Sequence, residues 1–271
     1  MRIGWIVTLA VLGSASTIAL ADSLPASQAD AAANQAAQMP PNATVDQVLD
    51  AMDARGQNLI DFSAKVKLTN SDASTGDSVI NEGTVQFQKK PDGNVRIRVA
   101  FDKEQNGDEI DDVDHSYILD AGWLIERDYH KQSETRRQVL KPGEKMNLWK
   151  LGEGPFPLPI GQKKEEVRKL FDVTLLPPAN DDPANTIHIE LKPKAGTPYE
   201  RRFGGIEVWV DRSNQFPAQI KTKPRGEGSD VHTTTLQKVV VNPAGGLKDA
   251  DFTPEAVDLT QWNVHVEPYR E

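Results

Sequence analysis

The chain contains no cysteine. That excludes disulfides, thiolate metal sites and cysteine nucleophiles, so stability has to come from a packed core. Histidine is scarce as well. His115, His130, His188, His232 and His265 never fall at the H-x-x-x-H or H-E-x-x-H spacing that seats zinc. There is no G-x-S-x-G elbow, no glycine loop to cradle phosphate and no Ser-x-x-Lys motif. Positive charge is in deficit, with 31 Lys and Arg against 40 Asp and Glu and a net charge of −9. That balance argues against nucleic acid or an anionic bilayer surface as the main partner. Forty acidic side chains guarantee carboxylate pairs somewhere, so no glycosidase-type pair can be singled out. No residue recommends itself as catalytic, and no cofactor is expected.

Metal is not expected either. Asp102, Glu104, Asn106, Gly107 and Asp108 resemble the start of an EF-hand loop, but its twelfth position is Val113 where a bidentate glutamate belongs. The acidic run Asp108–Asp114 reads as a solvated hairpin tip, and the histidines read as surface strand positions.

No apolar run reaches the ~20 residues that span a bilayer. The strongest one, Ile3 to Leu12, follows Arg2 and leads through small residues to Ala19-Leu20-Ala21. Charged, apolar and A-x-A segments in that order form a secretory signal peptide over residues 1–21. No cysteine follows it to be lipidated, so the exported product is expected to be soluble. Losing Arg2 with this segment takes the net charge from −9 to −10. Residues 22–43 are Ala, Gln, Asp, Ser and Pro with almost no large apolar side chain, which predicts a disordered linker.

Residues 44–271 are long enough for one domain with a sizeable core. Thr44 and Gln47 make a capping-box pair, and Val45, Val48, Leu49 and Met52 share one helical face up to Gly56, read as a left-handed C-cap. Then the period changes to two. Phe62, Ala64, Val66 and Leu68 alternate with Ser63, Lys65 and Lys67; Gly83, Val85 and Phe87 continue the pattern; Pro91-Asp92-Gly93-Asn94 turns the chain into Val95, Ile97, Val99 and Phe101. Further strands are read at His115–Leu119, Trp123–Tyr129, Thr135–Leu140, around Ile187–Leu191, Ile206–Val210 and Ala218–Thr222, and at Val231–Val241, with Asp120-Ala121-Gly122 as a hairpin turn. A second short helix is expected near Lys163–Phe171. The fold class is α+β, with about 10–12 antiparallel strands in a barrel or strongly curved sheet. Gly154 to Ile160 carries three prolines and reads as an apolar loop that covers something. With Trp123, Trp149, Phe156, Trp209 and Phe216, it suggests a concave apolar pocket, although each aromatic alone is more often core than ligand site.

These motifs resemble the LolA/LolB-like superfamily of outer-membrane lipoprotein carriers and sorting proteins. The matching residues are the N-terminal helix leading into Phe62-Ser63-Ala64-Lys65-Val66, then Glu82-Gly83-Thr84-Val85-Gln86-Phe87 ending in Lys89-Lys90-Pro91. Asp120-Ala121-Gly122-Trp123-Leu124, Pro155-Phe156-Pro157-Leu158 and Asp251-Phe252-Thr253-Pro254 also match. The resemblance implies an unclosed antiparallel β-barrel with helices across its mouth and a cavity for acyl chains. It implies a periplasmic carrier that passes an acylated lipoprotein or lipid toward the outer membrane, with an inner-membrane release complex and an outer-membrane receptor as partners. The wall would be Val66, Leu68, Val85, Phe87, Val95, Ile97, Val99 and Phe101, with Trp123 and Phe156 as aromatic contributors. Lys90 stands where the carriers have a lid-locking arginine; its point charge cannot reproduce a planar fork. Insertions around Gln105–Asp114 and Ala179–Asn185 are a second departure. The competing reading is a periplasmic sensor or interaction domain of the same fold that binds a protein partner.

If the N-terminal reading is right, exported protein begins at Asp22. N-terminal sequencing of the periplasmic fraction checks this, and a retained Met1 would refute it.

Overall fold

A computed structural model of the chain describes residues 38–141, 144, 163–226, 228 and 230–269. The signal-peptide segment, most of the predicted linker and the Pro-rich loop with Trp149 and Phe156 lie outside them. Helix α1 (Val45–Gln57) starts as its sequence directs: the Thr44 side chain accepts from the Gln47 N–H and the Gln47 side chain accepts from the Thr44 N–H. Its other end differs from expectation. Gly56 is a buried residue inside the helix, and Asn58 caps it in a right-handed conformation, its side chain bonding the Ala54 carbonyl. No left-handed residue is needed there, because the backbone and side-chain N–H groups of Asn58 both take the Ala54 carbonyl.

Among the described residues twelve strands follow, with a second helix, α2 (Lys164–Leu170), between the sixth and seventh. They are β1 (Asp61–Ser71), β2 (Ser78–Lys89), β3 (Val95–Asn106), β4 (Glu109–Asp120), β5 (Trp123–Asp128) and β6 (Ser133–Gln138). After α2 come β7 (Phe171–Leu175), β8 (Thr186–Pro193), β9 (Phe203–Asp211), β10 (Pro217–Pro224), β11 (Val231–Val241) and β12 (Asn263–Glu267). All lie in one sheet of order β12-β6-β5-β4-β3-β2-β1-β11-β10-β9-β8-β7. The sheet is open, with β12 and β7 at its edges. It is antiparallel except where β12 runs parallel to β6. The sequence reading missed β7 and β12, five residues each, and began β4 six residues late, at His115. The missing stretch Glu109–Asp114 is exposed and carries no apolar alternation to mark it.

Because strand side chains alternate, the register sorts every residue to a face. One row crosses five strands as Phe62, Phe87, Ile97, Leu119 and Leu124. We call this side the inner face. It carries two apolar clusters. The first joins Val48 and Leu49 of α1 and Val167 of α2 to the β7–β10 half of the sheet. The second spans β1–β5 and β11 and includes Phe216, and among the described residues no side chain of either helix belongs to it. Met39 and Ala43, expected in the linker, are buried in the first cluster, and the Met39 backbone exchanges bonds with Arg212.

One turn carries positive φ for a reason. Ala121 and Gly122, at φ 49° and 80°, form the two-residue connection between β4 and β5, whose twist requires left-handed residues. Gly83 has a different constraint. It sits beside a bulge in the β2–β3 pairing, and a Cβ there would fall 1.9 Å from the Ala100 carbonyl oxygen. Gly83→Ala is therefore expected to lower the unfolding free energy read by urea denaturation by at least the ~1–3 kcal/mol of an overpacked site. A variant as stable as the parent would show that β3 can shift away freely.

Candidate functional site

The eight predicted wall residues share the inner face. Val66, Val85, Phe87, Val95, Ile97, Val99 and Phe101 are buried members of the second apolar cluster, and Leu68 packs half-buried at its edge. Within the cluster Phe62 stacks on Phe87 at 5.5 Å between ring centroids and meets Phe216 edge-on at 5.3 Å. Toward the far end of β1–β5 the face turns polar. His115 opposes both Phe101 and Asp128, and its Nε2 lies 3.0 Å from the Asp128 carboxylate. Burial pushes Asp128 up, but hydrogen bonds from the Lys131 side chain and backbone and the nearby His115 outweigh it, holding this carboxyl at about 2.

Trp123 does not stand with the eight. It pairs with Asp120 and Gln138 on the outer face, across the sheet from Leu124. Lys90 is on the β2–β3 turn, where its ammonium lies 2.6 Å from Asp120, which directly precedes the β4–β5 turn. Phe156 lies outside the described residues.

The outer face of β1–β6 holds what the sequence reading did not anticipate. Arg96 and Arg98 alternate with the apolar residues of β3, which suggests solvent, yet Arg96 is buried. The C-terminal segment crosses over them. Leu247 donates its N–H to Asp61, Gln88 bonds the Leu247 carbonyl, and Arg96 pairs with Asp249 at 2.6 Å beneath the Phe252 ring. Farther along, Arg98 donates to the Asp251 carbonyl and Arg127 to the Glu255 carbonyl. The strap then delivers Trp262 against Tyr129 and ends as β12. Beneath it Glu134, with no exposed side-chain surface, accepts from both Arg127 and Arg136. Burial opposes the Arg127 charge, but hydrogen bonds with Tyr129 and Glu134 more than compensate and raise its pKa above the ordinary value. The clue in sequence was Asp251-Phe252-Thr253-Pro254, read as a signature but not as a cover.

Between strap and sheet is a groove of about 460 Å³. Its floor is Ile118, Trp123 and Ile125, its walls Phe252, Pro254 and Val266, with Arg136 and Asp120 also lining it. A second polar feature lies on the outer face of β8 and β9. His188, expected on the surface, is nine-tenths buried there and stacks on Trp209 with 4.0 Å between ring centroids, flanked by Asp182 and Glu207 at 3.5 and 3.4 Å. Among the described residues no cluster of three or more His, Asp or Glu is arranged to hold a metal.

No family model matches the chain, and no curated protein sequence does. Solved structures that it resembles include a LolA superfamily protein from Nitrosomonas europaea, at 12% identity and TM-score 0.30 over 78% of this chain and 98% of that one. A second is an outer membrane lipoprotein-sorting protein domain from Vibrio parahaemolyticus, at 12% identity and TM-score 0.35 over 76% of this chain and 94% of that one. A third is the MucA/MucB complex of Pseudomonas aeruginosa, at 10% identity and TM-score 0.41, where 77% of this chain spans 60% of the other. The superfamily read from the sequence motifs is thus represented among them. Likenesses this distant say nothing about ligand or partner.

The buried Arg127–Glu134 pair makes a direct prediction. Glu134→Gln leaves two guanidiniums without their carboxylate, and losing one member of a buried pair costs ~3–5 kcal/mol. Chemical denaturation should show a loss of that size; a change below about 1 kcal/mol would mean that water reaches the pair.

Proposed function

We propose that this chain is a non-enzymatic binding protein of the cell envelope that takes the acyl chain of a lipid or lipoprotein against the inner face of β1–β5 and passes it on. The observation that carries the reading is the second apolar cluster. Its residues cross six neighbouring strands of an open sheet, β11 and β1–β5, and among the described residues neither helix contributes to it. A sheet face of this kind is suited to a long unbranched apolar ligand. An acyl chain costs ~0.8 kcal/mol per CH₂ to hold in water, so a carrier must keep it dry in transit. Val66, Leu68, Val85, Phe87, Val95, Ile97, Val99 and Phe101 are the proposed wall, with Leu68 at its accessible end. Phe156 is the proposed aromatic cover and Lys90 the proposed lid residue. Trp123 leaves this site, since it belongs to the other face. Export by the N-terminal segment and transfer in the periplasm are part of the same proposal. Among the described residues no helix is long and apolar enough to cross a membrane.

The test is direct. Protein purified from cells and examined by native mass spectrometry should retain lipid, and delipidated protein should bind a fluorescent fatty acid. Leu68→Asp places a charge beside the wall without opening the cluster's buried centre. It should weaken the probe about tenfold or more while leaving the unfolding free energy within about 1 kcal/mol. If the wild-type protein neither carries lipid nor binds the probe, the reading fails and a partner-binding sensor takes its place.

A further inference from the structure

We infer that His188 is a pH-operated latch: with two ring protons it ties the connection between β7 and β8 to β9, and on losing one proton it releases one of the ties. The arrangement is a bridge. His188 Nδ1 lies 3.5 Å from Asp182 Oδ1, and Nε2 lies 3.4 Å from Glu207 Oε2. Asp182 belongs to the connection, residues 176–185, and Glu207 to β9. All three side chains are withdrawn from water, with 9% of the histidine and 12% of each carboxylate exposed. The Trp209 ring covers one face of the imidazole.

Both ring nitrogens are buried, and neither makes a hydrogen bond at these distances. Leaving such groups unmade is costly. A neutral imidazole has one N–H and one lone pair, so it can donate to one carboxylate while its lone pair faces the other. The imidazolium donates to both. The acceptors are held ionised. Burial pushes Asp182 up, but hydrogen bonds from the Ala179 N–H and the Trp209 indole, with the charge of His188, keep it below the ordinary carboxylate range. Burial opposes the Glu207 charge too, and Lys223, Lys221 and His188 outweigh it. The register puts Glu190 and Lys192 of β8, Asp172 of β7, Asp211 of β9, and Lys221 and Lys223 of β10 on the same face, and Asp181 adjoins Asp182. Among the described residues only Asp182 and Glu207 come within ion-pair distance of the ring.

The latch is therefore closed on the acid side of the His188 titration, and one tie is lost as pH rises through it. At the other limit it weakens when pH falls below the ordinary carboxylate range and the two acids take up protons. Its effect reaches a structural corner. The connection ends at Asn185, whose carbonyl accepts the Arg212 N–H, and the Arg212 guanidinium holds the Met39 carbonyl ahead of α1.

The inference does not rest on the inner-face reading, because the latch lies on the opposite face and involves no ligand. NMR of the histidine ring nitrogens across pH tests it, together with hydrogen exchange at the Ala179 amide. His188 should pass from the doubly protonated ring to a single tautomer as pH rises. Over that step the protection of the Ala179 amide, relative to its intrinsic exchange rate, should fall about tenfold or more, the size expected for one hydrogen bond to a charged group. His188→Phe keeps a ring against Trp209 and should show no such step; the wild-type measurements stand without it. A His188 ring that holds one tautomer from mildly acidic to alkaline pH would overturn the inference. So would a titration that leaves Ala179 protection unchanged, or a step that survives in His188→Phe.

Discussion

Three arginines reaching up from an open sheet to the carbonyls and one carboxylate of a C-terminal strap are the contacts on which the outer half of this structure depends. Arg96, Arg98 and Arg127 project from the same face of β3 and β5, and their acceptors are Asp249, the Asp251 carbonyl and the Glu255 carbonyl in chain order. A guanidinium offers several donors in one plane, so each can serve the sheet and the strap together. Arg96 does so with Gln88 and Asp249. Arg127 does so with Glu134 and Glu255. With its acceptors set in this order, the strap has one register, and that register carries Phe252 into the interior at 2% exposure and delivers β12 to the edge of β6.

A buried ion pair is a poor source of net stability, since desolvation offsets most of the attraction. Its value here is specificity. An apolar outer face on β1–β6 would have accepted almost any apolar strap, or another molecule. Arg127 and Glu134 accept only a segment that brings a carbonyl to the right place, and Tyr129 and Trp262 close around the guanidinium at 5.9 and 5.6 Å. The open sheet therefore divides its labour: its inner face is apolar and non-directional, its outer face polar and geometrically exact in what it admits.

This division explains what could be read from the sequence. The inner face was legible because burial on one side of a strand writes itself as alternation, and Phe62 to Leu68 or Val95 to Phe101 can hardly be anything else. The capping box of α1 was legible because both partners lie within four residues. The outer face was not. An arginine alternating with valine looks solvated, and only the contact of Arg96 with Asp249, 153 residues away, shows otherwise. The same holds for Trp123, whose apolar character said that it belonged inside something but whose side of the sheet is set by pairing with Asp120 and Gln138. His188 repeats the lesson, hidden by the stack on Trp209.

One structural consequence joins the two faces. Gly83 lies on the inner face, where β2 and β3 approach too closely for a side chain, and the bulge beside it re-aims the far half of both strands. Short of the bulge the rows are apolar inside and arginine-bearing outside. Beyond it Lys67, Glu82 and Lys103 line up across three strands with water within reach. The apolar inner face and the strap both end near this line, so a single glycine marks where the sheet stops needing cover on either side.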